Sequence, residues 1–592
     1  MGFSLRTIAC VLFGFAAVSG LAGGCSCGAT GLQDGASGGA GGGAGGQLFD
    51  VDGGEPCEAT CSNDLKSVVD CNNVVLHDCG DDQGCANGEC IDDPCEAARI
   101  SKSSYGCDYW ALKTALRPQA DGACFAVFVA NTWEKPVHLT VEREGTKMDV
   151  GDFARIPAGQ GPALSYEPFD EQAGLLPGEV AVLFLSRALL GGSVVECPVP
   201  AAIEGETGVA GTGRGAAFHI TSDYPVVAYQ ISPYGGAQAY VTSATLLLPT
   251  SAWDTNYVAI NAYKSSDPPI PGGHPSLDIV AREDDTEVTL LPTTAILPGE
   301  DVPGAPAGQP VTYKLSAGEF LQITQPEELT GSPIMATKPI GVFGAATCMN
   351  VPTDQGDCDS AQQQIAPVRA LGSEYVAVRY RGRAGKADEV APWRLVGVAD
   401  GTELLWEGEK PLGAPDSLAL GDVFEVSSAG PFTVKSQDSE HPFYLGAYMT
   451  GGAAFEGEGD PDWINVIPPS QFLTRYVLFT DPTYPETSLV VVRAPSKVDG
   501  SFADVKLACR GKLTGWSAIG EYQYTRVTLV TGDFEGVQGC ANGAHEMWSD
   551  LPFGVSVWGW GATQQTRYVS YAYPAGAGFQ PINEIKVLPE PK

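Results

Sequence analysis

SDYPVVAYQ, residues 222–230, sets a polar residue and a proline ahead of an alternating apolar run. The same arrangement returns as ATKPIGVFG (336–344), SEHPFYLGAY (439–448) and SDLPFGVSVWG (549–559). The prolines, Pro225, Pro339, Pro442 and Pro552, stand 114, 103 and 110 residues apart. Self-similarity at a near-constant spacing is the mark of a repeat architecture. A second landmark follows each of the first three: LLLPTSAWDTNYVAI (246–260), IAPVRALGSEYVAV (365–378) and VIPPSQFLTRYVLF (466–479). In each, proline and tyrosine are eight apart, as Pro249 to Tyr257, Pro367 to Tyr375 and Pro468 to Tyr476.

Between the landmarks lie further period-two runs, such as SLDIVAREDDTEVTLLP (276–292) with VTYKLSAGEFLQI (311–323), and WRLVGVADGTELLWEG (393–408) with LALGDVFEVSS (418–428). Their turns fall at Asp-Asp, Asp-Gly, Ala-Gly and Leu-Gly pairs, the grammar of hairpins. The reading is all-β: four repeats of about 105 residues, each with about seven short strands, a number that fits tandem β-sandwich-like units. The alternative is a closed β-propeller-like ring. The opening strand YWALKTAL (109–116) matches the strand at Tyr257, and a last copy, YVSYAYPAG (568–576), has no unit after it. Such a left-over strand can close a ring against the first unit.

Composition agrees with many short strands. The chain has 592 residues, 44% of them hydrophobic and 18% charged, with 74 glycines and 43 prolines. This is far more than one core needs, so several domains or one long array are expected. A formal charge of −37, from 71 acidic and 34 basic residues, repels phosphate backbones and anionic headgroups, which argues against nucleic acid and direct membrane binding.

The amino terminus reads as an address. Residues 1–24 place Arg6 ahead of an apolar run from Ile8 to Ala22 and then small residues, the build of a secretory signal peptide. The run is too short to span a bilayer, and no later segment reaches that length. Leu21-Ala22-Gly23-Gly24-Cys25 resembles the signal of bacterial lipoproteins, in which the cysteine is acylated and becomes the first mature residue. The leucine sits one place further from the cysteine than is usual in that family, and ordinary cleavage after a small-x-small site is the other reading. Residues 25–56, rich in glycine, form a tether that cannot bury enough apolar surface to order itself.

Twelve of the 17 cysteines fall within the first 124 residues, a density that implies an oxidising compartment. Cys57, Cys61, Cys71, Cys79, Cys85, Cys90 and Cys95 define a small disulfide-stapled module over 57–103. Zinc is the rival reading, but there is no repeated C-x2-C pairing and only His77 lies among them. Proximity beyond the module pairs Cys95 with Cys107, Cys124 with Cys197, Cys348 with Cys358 and Cys509 with Cys540.

Catalytic motifs are missing. None of the six histidines forms a paired metal motif, there is no H-E-x-x-H or phosphate-binding loop, and there is no G-x-S-x-G nucleophile elbow, the string GASGG at 35–39 lying within the glycine-rich tract. Two acidic loops, TDQGDCDS with Asp354, Asp357 and Asp359, and EGEGDPDW with Glu456, Glu458, Asp460 and Asp462, offer hard oxygen ligands for calcium, though without EF-hand spacing; solvated turns are the alternative. No other cofactor is implied. Trp558, Trp560 and Tyr571 are candidate binding aromatics, although Trp558 and Trp560 share one strand face that can equally pack inward.

The proline and tyrosine landmarks resemble the N-terminal domain of the IgGFc-binding protein family, closest in ATKPIGVFG with IAPVRALGSEYVAV. The resemblance covers about residues 104–580 and leaves a tail at 581–592. It implies extracellular recognition, the family being named for a mucus protein that binds the constant region of immunoglobulin G; antibody binding itself does not transfer with so short a motif. The expected function is a surface recognition or adhesion protein, exported and lipid-anchored at the outer membrane or cell surface, or else secreted, that binds an extracellular protein or glycan. A self-associating structural component of the envelope or matrix is the alternative, and a secreted glycan-degrading enzyme a third.

Overall fold

A computed structural model describes residues 58–70, 73–188, 196–236, 239–562, 564 and 566–590. The signal peptide, Cys25, the tether 25–56, Cys57 and Cys71 lie outside the described residues. The fold is all-β, with 46% strand and 6% helix. Four large sheet systems follow one another along the chain, and each contains one of the proline strands. These are β1 (Phe218–Ser232), β3 (Pro333–Met349), β5 (Phe443–Met449) and β7 (Gly543–Trp560), and each pairs with a short strand that follows it: β2 (Ser243–Leu246), β4 (Asp359–Ile365), β6 (Asp462–Asn465) and β8 (Ser570–Pro574).

The prolines mark the places where ladders change partner. Before Pro225, β1 pairs with Leu139–Arg143; after it, Val226–Ile231 pairs with Phe125–Asn131 and Tyr229–Ser232 with β2. Likewise β3 pairs with Thr286–Leu290 before Pro339 and with Pro275–Ala281 and β4 after it. In β7 the change falls at Pro552, from Leu473–Thr480 to Glu486–Arg493 and β8. In the third system the break is complete, and Phe432–Ser436 and β5 are separate strands. Proline has no N–H to give a ladder, so it sits where the ladder is interrupted, and the sheet curls there.

Tyrosines close each gap. Tyr109, Tyr257, Tyr375 and Tyr476, all 1% exposed or less, donate their hydroxyls to the carbonyls of Val226, Ile340, Phe443 and Phe553 at 2.7, 2.7, 2.6 and 2.5 Å. Each acceptor is the residue directly after a landmark proline. Three of these hydroxyls also accept the N–H three residues back, from Asp254, Gly372 and Leu473. A tyrosine strand therefore belongs structurally with the proline strand that follows it in sequence, and the opening strand at Tyr109 is the first of the set.

The four sheet systems are arranged as a ring rather than a row. β2 lies against β4, β4 against β6, β6 against β8, and β8 back against β2. Cores are shared across neighbours. Phe128 and Tyr229 of the first system meet Phe479 and Tyr573 of the last, with ring centroids 4.7 and 4.6 Å apart, while Tyr448 and Trp463 of the third pack with Leu277 and Val342 of the second. The last copy of the strand, β8, pairs with β7 of its own sheet and touches the first sheet through β2. Main-chain contacts stitch the same seam: the Ser104 N–H donates to the Ala577 carbonyl at 2.8 Å. The stretch beyond 580 runs back over the second and third systems, where Asn256 exchanges two hydrogen bonds with the Val587 backbone.

Six disulfides are described: Cys61–Cys85, Cys79–Cys90, Cys95–Cys107, Cys124–Cys197, Cys348–Cys358 and Cys509–Cys540. The first two staple the small module. A helix, α1 (Pro94–Ser101), capped by the Asp93 side chain on the N–H groups of Cys95 and Glu96, leads from it to the first sheet, where Cys95–Cys107 fixes the joint. The module is held to the ring by Asn63, which accepts the Thr474 N–H at 2.7 Å, and by Asp64 on Arg475 at 3.2 Å.

Candidate functional site

The ring has a filled axis. Strands β2, β4, β6 and β8 meet there, and the QQQ run of β4 (Gln362, Gln363, Gln364) supplies the filling. Gln363 Nε2 lies 2.9 Å from the Ala244 carbonyl on β2, 2.8 Å from Trp463 on β6 and 3.1 Å from Ala572 on β8. One amide thus reaches all three neighbouring strands. Gln362 donates to the Ser243 carbonyl at 2.9 Å and accepts from Gln230 at 2.6 Å, while Gln364 accepts the Leu248 N–H at 2.6 Å. All are buried. Polar side chains this deep are tolerable because most of their donors and acceptors are met.

At one end of this axis the inner strands begin, at Ser243, Asp359, Asp462 and Ser570. Here the structure unites the two acidic loops that the sequence singles out. Asn350 clasps one of them by donating to the carbonyls of Gln355 and Asp357, and the Cys348–Cys358 bridge closes it. Gly451 is where the loops touch: a side chain there would stand 3.7 Å from Asp460 Oδ1 and 3.9 Å from Asp357 Cβ. Asp460 accepts the Gly452 N–H at 3.1 Å and its own N–H goes to Ser570 Oγ at 3.0 Å. Asp462 Oδ1 accepts from the Trp463 N–H at 2.8 Å and from Ser243 Oγ at 3.2 Å.

The seven acids of the two loops separate. Asp354 and Glu456 are exposed, and Glu458 turns away to accept the Ala384 N–H at 2.7 Å. Asp359 and Asp462 are both 0% exposed. Neither oxygen of Asp359 has a protein partner, and Asp462 Oδ2 has none. Burial pushes both carboxyls well above the ordinary range, and for Asp359 the charges of Asp460, Asp462 and Asp357 add to it. Burial, with the charge of Asp357 adding to it, raises Asp460 to about 7 against the lowering pull of the Gly452 N–H and Arg383. Among the described residues no three His, Cys, Asp or Glu side chains converge as a metal cluster.

The aromatic candidates are elsewhere and face inward. Trp558, Trp560 and Tyr571 are 1%, 0% and 0% exposed. Trp558 packs on Tyr380 with centroids 4.8 Å apart, Arg381 covers Trp560 at 4.9 Å, and the Tyr571 hydroxyl accepts the Asp481 N–H at 2.9 Å. They therefore offer no ring to a ligand, because the shared face of β7 is turned to the core between the third and fourth systems. Sequence reasoning did not find Gln363, whose only signal is a run of three glutamines in a short strand. It also did not find the buried Arg383–Glu389 pair, 2.8 Å apart with both side chains 0% exposed.

Comparison with known proteins bears on this architecture directly. The family model described as IgGFc binding protein matches residues 243–559, from the first residue of β2 to the last but one of β7. This is more than half of the chain. The chain belongs to the IgGFc-binding protein family. The curated IgGFc-binding protein of Homo sapiens is 25% identical over 238 residues, which are 38% of this chain and 4% of that protein. The chain thus spans a small part of the human relative's length. The family match takes in Gln363 with its partners on β2 and β6, both acidic loops and three of the four proline–tyrosine links.

Proposed function

We propose that the protein is an extracellular recognition module that binds a protein partner and performs no catalysis. The observation that carries this reading is the family match over residues 243–559. Six disulfides in the described residues support an oxidising location, and no helix among those residues is long and apolar enough to cross a membrane. Adhesion to a surface and attachment through an acylated Cys25 are the finer parts of the proposal, supported by the signal and the tether. A shared-core ring presents rigid outer loops at fixed spacing, the preorganisation that recognition surfaces use to limit the entropy lost on binding.

The test is direct binding. The mature protein, immobilised, is probed with purified extracellular proteins, immunoglobulin G among them, and with a glycan array. Saturable protein binding that is lost on reduction of the disulfides supports the reading. Binding to glycans alone, or concentration-dependent self-association without any partner, would replace it with the glycan or structural alternative. Detergent phase partitioning of the wild type and of Cys25→Ser in the expressing cell tests the anchor.

A further inference from the structure

Two buried carboxylates at the mouth of the ring have no counter-charge from the protein. Asp359 on β4 and Asp462 on β6 begin adjacent inner strands, and three of their four oxygens lack a partner. The nearest cations are engaged elsewhere. Arg117, whose field reaches Asp359, donates to Gln119 Oε1 at 3.1 Å and Cys358 Sγ at 3.5 Å. Arg383, whose field reaches Asp460, is locked on Glu389. An ionised carboxylate buried without a partner costs several kcal/mol, so the pair must be neutralised by protons or by a bound cation.

A second observation, independent of the acids, favours the cation. Ser232 on β1 is 1% exposed and its hydroxyl has no partner. It stands directly opposite Ser243 in the β1–β2 ladder, so both side chains project from the same face. Ser243 Oγ already reaches Asp462 at 3.2 Å. An unused hydroxyl thus stands across the ladder from the serine that holds Asp462, whose second oxygen is also unused.

We propose that the mouth of the ring binds a hard divalent cation of calcium size, with Asp359 and Asp462 as carboxylate donors and the Ser232 hydroxyl beside them. The donor chemistry sets the ion class. Only oxygen atoms are offered, which excludes the soft thiolate and imidazole preferences of zinc or copper. Calcium takes six to eight oxygens in irregular geometry and fills its shell with main-chain carbonyls and water, whereas magnesium demands a regular octahedron. Two carboxylates on different strands of the ring, completed by neutral oxygens, match the first ion. The cation would neutralise the mouth and tie β4 to β6 at the end where the loops Asn350–Cys358 and Thr450–Pro461 meet.

Calorimetric titration of chelator-stripped full-length protein with calcium chloride near neutral pH tests this, together with thermal unfolding with and without calcium. The expected result is saturable binding and a calcium-dependent rise in Tm. Asp359→Asn and Asp462→Asn should each lower calcium affinity at least tenfold and abolish that rise, yet unfold no lower than the stripped wild type, because an amide of the same shape replaces a buried carboxyl that must otherwise take up a proton. Ser232→Ala keeps the fold if the aspartate variants fail, and should weaken calcium several-fold. Asp354→Asn, on the exposed part of the loop, should leave binding unchanged. The proposal is overturned if millimolar calcium neither binds nor raises Tm, or if calcium binds with undiminished affinity to Asp359→Asn or to Ser232→Ala.

Discussion

The hydroxyl of Tyr375 donates to the carbonyl of Phe443 at 2.6 Å while its ring meets the Phe443 ring edge-on, centroids 4.9 Å apart. Phe443 follows Pro442, and its carbonyl lies just past the break between Phe432–Ser436 and β5. Tyr109 with Val226, Tyr257 with Ile340 and Tyr476 with Phe553 make the same bond. The geometry explains why proline and tyrosine recur together. Proline interrupts the ladder so that the sheet can curl, and the interruption leaves backbone groups that a tyrosine hydroxyl, able both to donate and to accept, can serve at once.

Tyr375→Phe should therefore destabilise more than its small change in volume implies. The Gly372 N–H and Phe443 carbonyl would be left buried with a lost partner, which costs about 1–3 kcal/mol. Denaturant unfolding should show the midpoint fall with an unchanged slope, and Tyr476→Phe should behave alike. A loss below about 0.5 kcal/mol, the usual size of a neutral substitution, would mean that the hydroxyl does not bridge the break.

Gln363→Met preserves length and removes the amide that reaches Ala244, Trp463 and Ala572. An NH2 group carries two hydrogens, so two of these three carbonyls are served at a time. Their loss should cost about 2 kcal/mol or more. Gln363→Glu should be worse, because a carboxylate would face three carbonyl oxygens. Thermal unfolding of the three proteins at one neutral pH should rank them wild type, methionine, glutamate.

How far these relations were legible in the sequence depends on their range. Pro225, Pro339, Pro442 and Pro552 could be aligned by eye, and so could the tyrosines eight residues past Pro249, Pro367 and Pro468. Strand pairing decides which proline a tyrosine serves, and Tyr257 bonds beyond Pro339, 83 residues away. The same holds at the mouth. Asp359 and Asp462 each stand out within an acidic loop, but only ring closure brings β4 beside β6. Alternation placed Trp558 and Trp560 on one face without saying which, since a face that packs against a neighbouring unit and one that meets solvent have the same period. Gln363 was invisible because a buried amide and a solvated one look identical until the strands around it are known.

Arg383 and Glu389 make a buried pair with supporting bonds: Glu389 also accepts from the Tyr380 hydroxyl at 2.5 Å and the Arg383 N–H at 2.9 Å, and Arg383 covers Phe455 at 4.0 Å. Removing one partner strands the other charge. Arg383→Met should cost about 3–5 kcal/mol, read as a fall in the unfolding midpoint, whereas the double variant Arg383→Met with Glu389→Gln should recover part of it. Full additivity of the two single losses would show that the charges are not coupled.

Stability should fall as pH rises from about 4 to 7 in the presence of chelator. Burial raises Asp481 to about 6 and Asp460 to about 7 from an ordinary 3.8. A carboxyl raised on folding binds its proton more tightly in the native state, so its contribution is complete below the ordinary value and disappears through the folded one. At about 1.4 kcal/mol per pKa unit, Asp481 alone accounts for about 3 kcal/mol. His545 opposes this: burial lowers it from 6.5 to about 4, so its share is present above 6.5 and is lost as pH falls. Two acids outweigh one imidazole, and the net charge of −37 adds self-repulsion at the upper end. Asp481→Asn should flatten the profile between pH 4 and 6 and His545→Gln should steepen it, as measured by unfolding midpoints in matched buffers. A profile that rises with pH in the wild type, with chelator present, would mean that these carboxyls remain ionised in the folded state.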